Sequence, residues 1–178
     1  MKILIETKRL LLRKITLDDK EELFKLHSNS DVQKYTGEPL VESLEEMEQA
    51  IQTRINDYEK YGYGRWATFL KNGMQFIGWA GLAYLPEFDE IDLGYRFSPQ
   101  YWGMGFATEA SQAILTYGFD KLELRQIIAI AMKENKASIK VMEKVGMEFD
   151  KFAPYEPGGE DVVWYWCDKK LIIKNKHH

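Results

Sequence analysis

A single cysteine, Cys167, in 178 residues leaves nothing for an internal disulfide to pair with. Positive charge is not in excess either: 24 Lys and Arg stand against 28 Asp and Glu, a net charge of -4. That balance argues against a general grip on nucleic acid or on an anionic membrane surface. No apolar run approaches the roughly 20 residues of a membrane-spanning helix. The opening MKILIETKRL also lacks the apolar core and cleavage site of a signal peptide. Proline is sparse, at 5, and no Gly/Ser/Pro-rich tract, low-complexity segment or internal repeat interrupts the chain, so linkers and solenoids are excluded. No His, Cys, Asp and Glu spacing suggests a metal site, and no Ser-His-Asp or Cys-His set is visible. The expectation is a cytoplasmic protein with no metal, no nucleic acid and no membrane partner, acting as a monomer or homodimer.

What remains is ordinary globular material, 45% hydrophobic and 29% charged. It suits one domain over residues 1–173, with 174–178 as a disordered tail or a tag remnant ending in His177 and His178. RLLLRKI reads as a strand that turns Leu10, Leu12 and Ile15 inward. TLDDKEELFKLHS reads as a helix capped by Thr16 or Asp18, with Leu23, Phe24 and His27 on one face. A second helix spans Ser43–Tyr61, opened by a Ser43/Glu46 capping box, with Leu44, Met47, Ile51, Ile55 and Tyr58 at helical spacing. Strands are expected at Arg65–Leu70, Gln75–Leu85 and Glu90–Phe97, the first two joined through Lys71-Asn72-Gly73. A helix at Phe106–Lys121 and a strand at Arg125–Met132, apolar enough to be buried on both faces, follow. A helix at Ala137–Val145 ends at Gly146, and strands at Phe149–Tyr155 and Val162–Asp168 close the chain. Strand, helix, strand in the middle predicts a parallel crossover within a mixed sheet of the α/β layered class. Trp164, Tyr165 and Trp166 put aromatics on both faces of the last strand, for burial or for an interface.

SPQYWGMGFATEA, residues 98–110, raises the functional question. A helix start presents unpaired N–H groups and partial positive charge. Gly103 and Gly105 would strip the preceding turn of side chains, so that an anion such as a phosphate reaches those groups. Ala107 is small, and Thr108 adds a hydroxyl. The same spacing also suits a tight strand-to-helix connection with no ligand. A Walker loop is excluded, since no Gly-Lys-Ser/Thr is present, and Thr108 stands where a Rossmann fingerprint needs its third glycine.

On these residues the chain resembles the GNAT superfamily of acetyl-CoA-dependent N-acetyltransferases. Gln100-Tyr101-Trp102-Gly103-Met104-Gly105 matches the family's Gln/Arg-x-x-Gly-x-Gly/Ala signature. PQYWGMGFATEA, NKASIKVMEKVGMEF and RLLLRKITLDD resemble the RimJ/RimL-like branch, in the expected order. The resemblance implies a mixed, mostly antiparallel sheet splayed in its middle and flanked by helices on both faces. It implies acetyl-CoA as co-substrate, its pantetheine arm beside Phe97 and its pyrophosphate on the amides of Trp102, Gly103, Met104, Gly105, Phe106, Ala107 and Thr108, with Gln100 in the same motif. Asn135 and Ser138 match positions that contact the cofactor from the next crossover, with Lys133, Lys136 and Lys140 nearby. It implies an acceptor that is a small-molecule amine or a protein N-terminus, attacked directly in a ternary complex.

Amide formation from an amine and a thioester needs a base for the ammonium, donors for the oxyanion and a proton or hydrogen bond for the thiolate. Glu90 and Asp92, two apart on a strand, share a face. Asp92 aligns with a glutamate common in the branch and is the base candidate, with Glu90 beside it on the acceptor side. Many family members donate the thiolate's proton from a tyrosine seven residues after the asparagine; here that position is Met142. Ser138 is therefore assigned a hydrogen bond to the thiolate, with water as proton source, or else a helix-capping role. The region between the first two helices lines the acceptor side in the family, so Tyr35, Gly37 and Glu38 are expected to receive a cationic amine. A sensor that binds acyl-CoA without turnover, and a nucleotide-binding domain, are the competing classes.

Overall fold

Alternating apolar residues build the first half of the sheet. In the computed structural model, which describes residues 2–175, Ile3–Glu6 (β1) pairs antiparallel with Leu10–Lys14 (β2). The sequence reading places no strand before Arg9. Yet Ile5 lies against Leu12 and is buried, which gives those four residues a partner and a core side. Leu10, Leu12 and Ile15 are buried as their alternation requires.

The chain then forms α1 (Lys20–His27), a four-residue α2 (Ser30–Gln33) and α3 (Leu44–Tyr61). Thr16 ends the strand, and its N–H donates to Asp19 Oδ2 at 2.9 Å. Ser43 caps α3 by accepting from Glu46 N at 3.1 Å. The return half of the expected box is shifted by one residue, because Glu46 accepts from Glu42 N at 2.9 Å. Met47, Ile51 and Tyr58 face inward, whereas Leu44, in the first turn, stays exposed. Tyr58 pins the layer: its hydroxyl accepts from Ile15 N and donates to the Arg65 carbonyl.

Arg65–Leu70 (β3), Phe76–Leu85 (β4) and Glu90–Phe97 (β5) form an antiparallel meander next to β2. After β5 come α4 (Phe106–Asp120) and Gln126–Ala131 (β6), which is parallel to β5 as the crossover predicts. Then follow α5 (Lys136–Lys144), Glu148–Pro154 (β7), Asp161–Asp168 (β8) and α6 (Lys169–Asn175). Strand β8 inserts antiparallel between β6 and β7, completing eight strands in the order β1-β2-β3-β4-β5-β6-β8-β7. The β6 strand has one parallel and one antiparallel neighbour, and Ile127, Ile128, Ala129 and Ala131 are buried, as its apolar run suggests. The fold is a mixed α/β sheet, mostly antiparallel, with helices on both faces. Residues 174 and 175 are helical where a tail was expected, and 176–178 lie outside the described residues.

Two cores result. On one face Leu23, Leu26, Met47 and Ile51 pack with Ala67, Phe69 and Trp79. On the other, Ala110, Ile114 and Leu115 of α4 pack with Trp66, Ile77 and Leu82. Each fully buried aliphatic side chain is worth about 1.5–3 kcal/mol, which fixes the sheet between its two helical layers. No helix among the described residues is long and apolar enough to cross a membrane.

Candidate active site

Strands β5 and β6 register at one pair only, Asp92 with Ile128, and part beyond it. The opening lies at their carboxyl ends, where an α/β sheet habitually takes its ligand. Both following helices, α4 and α5, begin at this mouth.

The α4 start is built by glycine. Gly103 and Gly105 take φ of +73° and +80°, left-handed values that side chains strain against, and Gly105 is the N-cap. Among the described residues the amides of Gly103, Met104, Gly105, Phe106, Ala107 and Thr108 have no hydrogen-bond acceptor, and a Cβ on Gly103 would meet only open space. This is the bare N-terminal nest expected from the sequence. One member of the expected set drops out. Trp102 N–H donates to Pro99 O at 3.0 Å, and its indole Nε1 donates to Phe97 O at 2.7 Å. Trp102 thus closes the end of β5 and offers no backbone donor to a ligand. The Phe97 carbonyl, expected beside the pantetheine arm, is occupied by that indole. Gln100, in the short turn before the glycines, is exposed.

Sequence reasoning missed what holds this turn. Arg9, ahead of β2, donates from Nη1 to Met104 O at 2.9 Å and from Nε to Glu109 Oε2 at 2.6 Å. Its guanidinium lies 4.3 Å from the Phe106 ring centroid. Glu109, in the first turn of α4, also accepts from Thr7 Oγ1 at 2.6 Å and Arg9 N at 2.8 Å. Burial works to raise the Glu109 carboxyl, but the bonds from Thr7 and Arg9 outweigh it and hold it below its ordinary range. The only signal in the sequence was an acid within a helical first turn, which reads equally as dipole compensation.

Across the mouth, Asn135 caps α5 by accepting from Ser138 N at 3.1 Å. Tyr95, on β5, donates its hydroxyl to Ser138 Oγ at 3.1 Å, a bond that links β5 to the first turn of α5. Burial pushes the Tyr95 phenol up, with the Ser138 bond opposing, so it keeps its proton at neutral pH. Met142 is buried and carries no proton, as its identity requires. Lys133, Lys136 and Lys140 are exposed around this helix start, with Lys133 Nζ 3.9 Å from Asp161.

The face of β5 turned toward α1 and α3 is crowded with charge. Asp92 is buried and ion-paired with Arg65 Nη2, while Arg65 Nη1 donates to Gly81 O at 2.7 Å. Gly94 makes room for that guanidinium, since a Cβ there would stand 2.7 Å from Arg65 Nη1. Burial raises the Asp92 carboxyl, against the pull of Arg65. Arg96 Nη1 donates to Glu38 Oε2 at 3.0 Å. Glu38, expected to receive a cationic amine, is exposed and meets an arginine of the chain itself. Tyr35 keeps to its own loop, its ring 5.1 Å from Lys34 Nζ. Gly37 approaches β6's end, where a Cβ would lie 3.6 Å from Met132 Cε. Glu90 accepts from Gln126 Nε2 at 3.1 Å in a groove of about 310 Å³ beside Trp164 and Trp166, not with the arginines. His27 Nε2 accepts from the Trp79 indole at 3.1 Å.

A model of the acetyltransferase (GNAT) domain matches residues 9–148. The chain is 34% identical over 146 residues to the uncharacterized N-acetyltransferase YoaA of Bacillus subtilis (strain 168), covering 82% of each. It is 30% identical to the FsC-acetyl coenzyme A-N(2)-transacetylase of Aspergillus fumigatus, covering 88% of this chain and 72% of that one. A crystal structure of a GNAT-family acetyltransferase from Bacillus anthracis superposes with a TM-score of 0.80 at 29% identity, covering 93% of this chain and 98% of the other.

Proposed function

The chain belongs to the GNAT acetyltransferase family and is an acyltransferase, and from that premise we propose that it moves the acetyl group of acetyl-CoA onto a primary amine, small-molecule or protein N-terminal, by direct attack in a ternary complex. We read it as a single catalytic domain over 1–173, RimJ/RimL-like in its motifs. The carrying observation is the run of unbonded amides from Gly103 to Thr108 at the mouth where β5 and β6 part. Those amides would hold the cofactor's pyrophosphate, and the parted strands would admit its pantetheine arm. Acetyl-CoA supplies an activated thioester carbonyl. Every other contribution is the chain's own.

Asp92 takes the ammonium proton, directly or through one water. Its burial strengthens proton uptake, while Arg65 keeps it ionised and oriented. The freed nitrogen forms the new C–N bond, and backbone N–H groups of β5 beyond its one pair with β6 would receive the oxyanion. The C–S bond breaks, and the thiolate needs a proton that Met142 cannot give. Ser138 accepts from Tyr95, so its own hydroxyl proton is free to point at the sulfur; Tyr95 resupplies Ser138 and regains its proton from water. The Tyr95–Ser138 pair thereby replaces the missing acid, with the strand contributing what the helix lacks.

The test is thiol release from acetyl-CoA across a panel of primary amines. Asp92→Asn should remove the acid limb of the pH profile, because the base works only above its folded pKa. Tyr95→Phe should lower kcat roughly 100-fold with cofactor affinity unchanged, the usual scale of a general acid. Tight CoA binding with no turnover on any amine would instead make the protein an acyl-CoA sensor.

A further inference from the structure

Three guanidinium groups converge on one indole. Arg54 of α3, Arg65 of β3 and Arg96 of β5 lie 5.0, 5.2 and 5.1 Å from the Trp79 ring centroid. An indole has two faces, so stacking alone does not account for three cations. Two of them have acids: Arg65 has Asp92, and Arg96 has Glu38. Arg54 has no ion-pair partner among the described residues, which leaves the half-buried cluster one positive charge in excess. Burial and the two neighbouring arginines push Arg54 down to about 10.

His27 sharpens the point. The Trp79 indole can only donate, so His27 Nε2 is the acceptor and the neutral ring carries its proton on Nδ1. That nitrogen lies 3.0 Å from Arg96 Nη1, also an obligate donor. A donor faces a donor, and the geometry lacks an acceptor oxygen. Among the described residues, the one carboxylate ion-paired with Arg96, that of Glu38, sits on an exposed loop with its side chain 59% accessible. It can swing away.

Taking this face as the acceptor side, as the proposed function does, we infer that the acceptor amine carries its own carboxylate, which docks among Arg54, Arg96 and His27 while the amine nitrogen lies toward Asp92. A guanidinium matches a carboxylate in shape as well as charge. Glu38 is then the carboxylate's stand-in when the site is empty, and it competes with substrate. A polyamine meets like charge here and is disfavoured.

Matched N-acetyl amino acids and their amides, which differ only in the carboxylate, test this by calorimetric titration into the protein with CoA added in excess. With glycine, alanine and phenylalanine as the residues, at least one acid should bind about tenfold tighter than its amide, the scale of one added charge-assisted bond. Arg54→Gln should bring that pair within about threefold, and Glu38→Gln should tighten the acid about threefold or more by removing its competitor. No acid preference in any pair overturns the inference, as does an acid preference untouched in folded Arg54→Gln. If that variant does not fold, the wild-type ratio and Glu38→Gln decide alone, and weaker acid binding in Glu38→Gln overturns it. A separate CoA titration keeps the two readings apart. An acid preference in protein that fails to bind CoA supports the anion site and removes the transferase; no preference in protein that binds CoA removes the anion site alone.

Discussion

The two sides of the sheet's opening solve opposite problems. Around Gly103 and Gly105 the chain arranges to have nothing in the way: side chains are absent, amides are free, and the positive character comes from peptide dipoles. Around Trp79 it crowds side chains together, with three arginines, a histidine and two acids sharing a small, half-buried volume. The first surface suits a ligand that never varies. The second is expensive to assemble and specific to whatever relieves it.

Disabling the first side should have the largest effect. Gly103→Val must hold φ near +73°, which costs an L-residue about 1–2 kcal/mol, and its branches enter the space over the free amides. The absence of neighbours around that Cβ confines the damage to the turn. CoA affinity should fall on the order of 100-fold by titration, about 2.7 kcal/mol, with the acid-over-amide preference retained. Unchanged CoA affinity would show that the glycines serve only the turn.

The second side should instead reveal itself through pH. Burial, together with Arg96 and Arg54, lowers His27 from 6.5 to about 3. Between those values the unfolded chain binds a proton that the folded one refuses. Stability is therefore full above 6.5 and lost as pH falls toward about 3, amounting to about 2 kcal/mol by pH 5. His27→Gln keeps a neutral acceptor for the Trp79 indole and removes that titration. Urea midpoints at pH 7 and pH 5 should lie closer together in the variant than in the parent. An equal gap would mean the imidazole is not the group that resists protonation.

These contrasts explain what the sequence made legible. The turn is local: QYWGMG fits in six residues, and the whole motif, more than the glycine spacing alone, marks it. The strands and most helices were readable for the same reason, since alternation and helical spacing are short-range. The Trp79 cluster draws on residues 27, 38, 54, 65, 79, 92 and 96, so no local pattern announces it. Glu38 was expected to receive a cation because the family resemblance puts its loop on the acceptor side; its neighbour in space is Arg96. Tyr95 carries no mark in the sequence: half-buried against the core, it matters through the one hydroxyl that crosses to Ser138. Strand β1 was missed because four residues carry too little periodicity to read without their partner.

The smallest effect tests whether the two sides differ as much as they look, for the turn too leans on one arginine. Arg9 holds Met104 O, lies over Phe106 and completes the set of bonds around Glu109. If the glycine turn is self-supporting, Arg9→Ala should leave CoA affinity alone. The geometry argues otherwise, since with Arg9 gone the Met104 carbonyl has no side-chain donor among the described residues. An exposed hydrogen bond of this kind is worth about 1 kcal/mol, so affinity should fall roughly threefold to tenfold. Arg9→Lys, which keeps the charge but cannot bond Met104 and Glu109 together, should recover little of it. Glu109, held below its ordinary range by the same contacts, contributes stability above the usual carboxylate pKa and loses it as pH falls through the lowered one. Arg9→Ala should therefore shift the onset of acid unfolding upward as well as weaken CoA. A variant that does the second without the first would place Arg9 on the ligand itself, and the turn would then be, like the face beyond it, a site finished by a side chain.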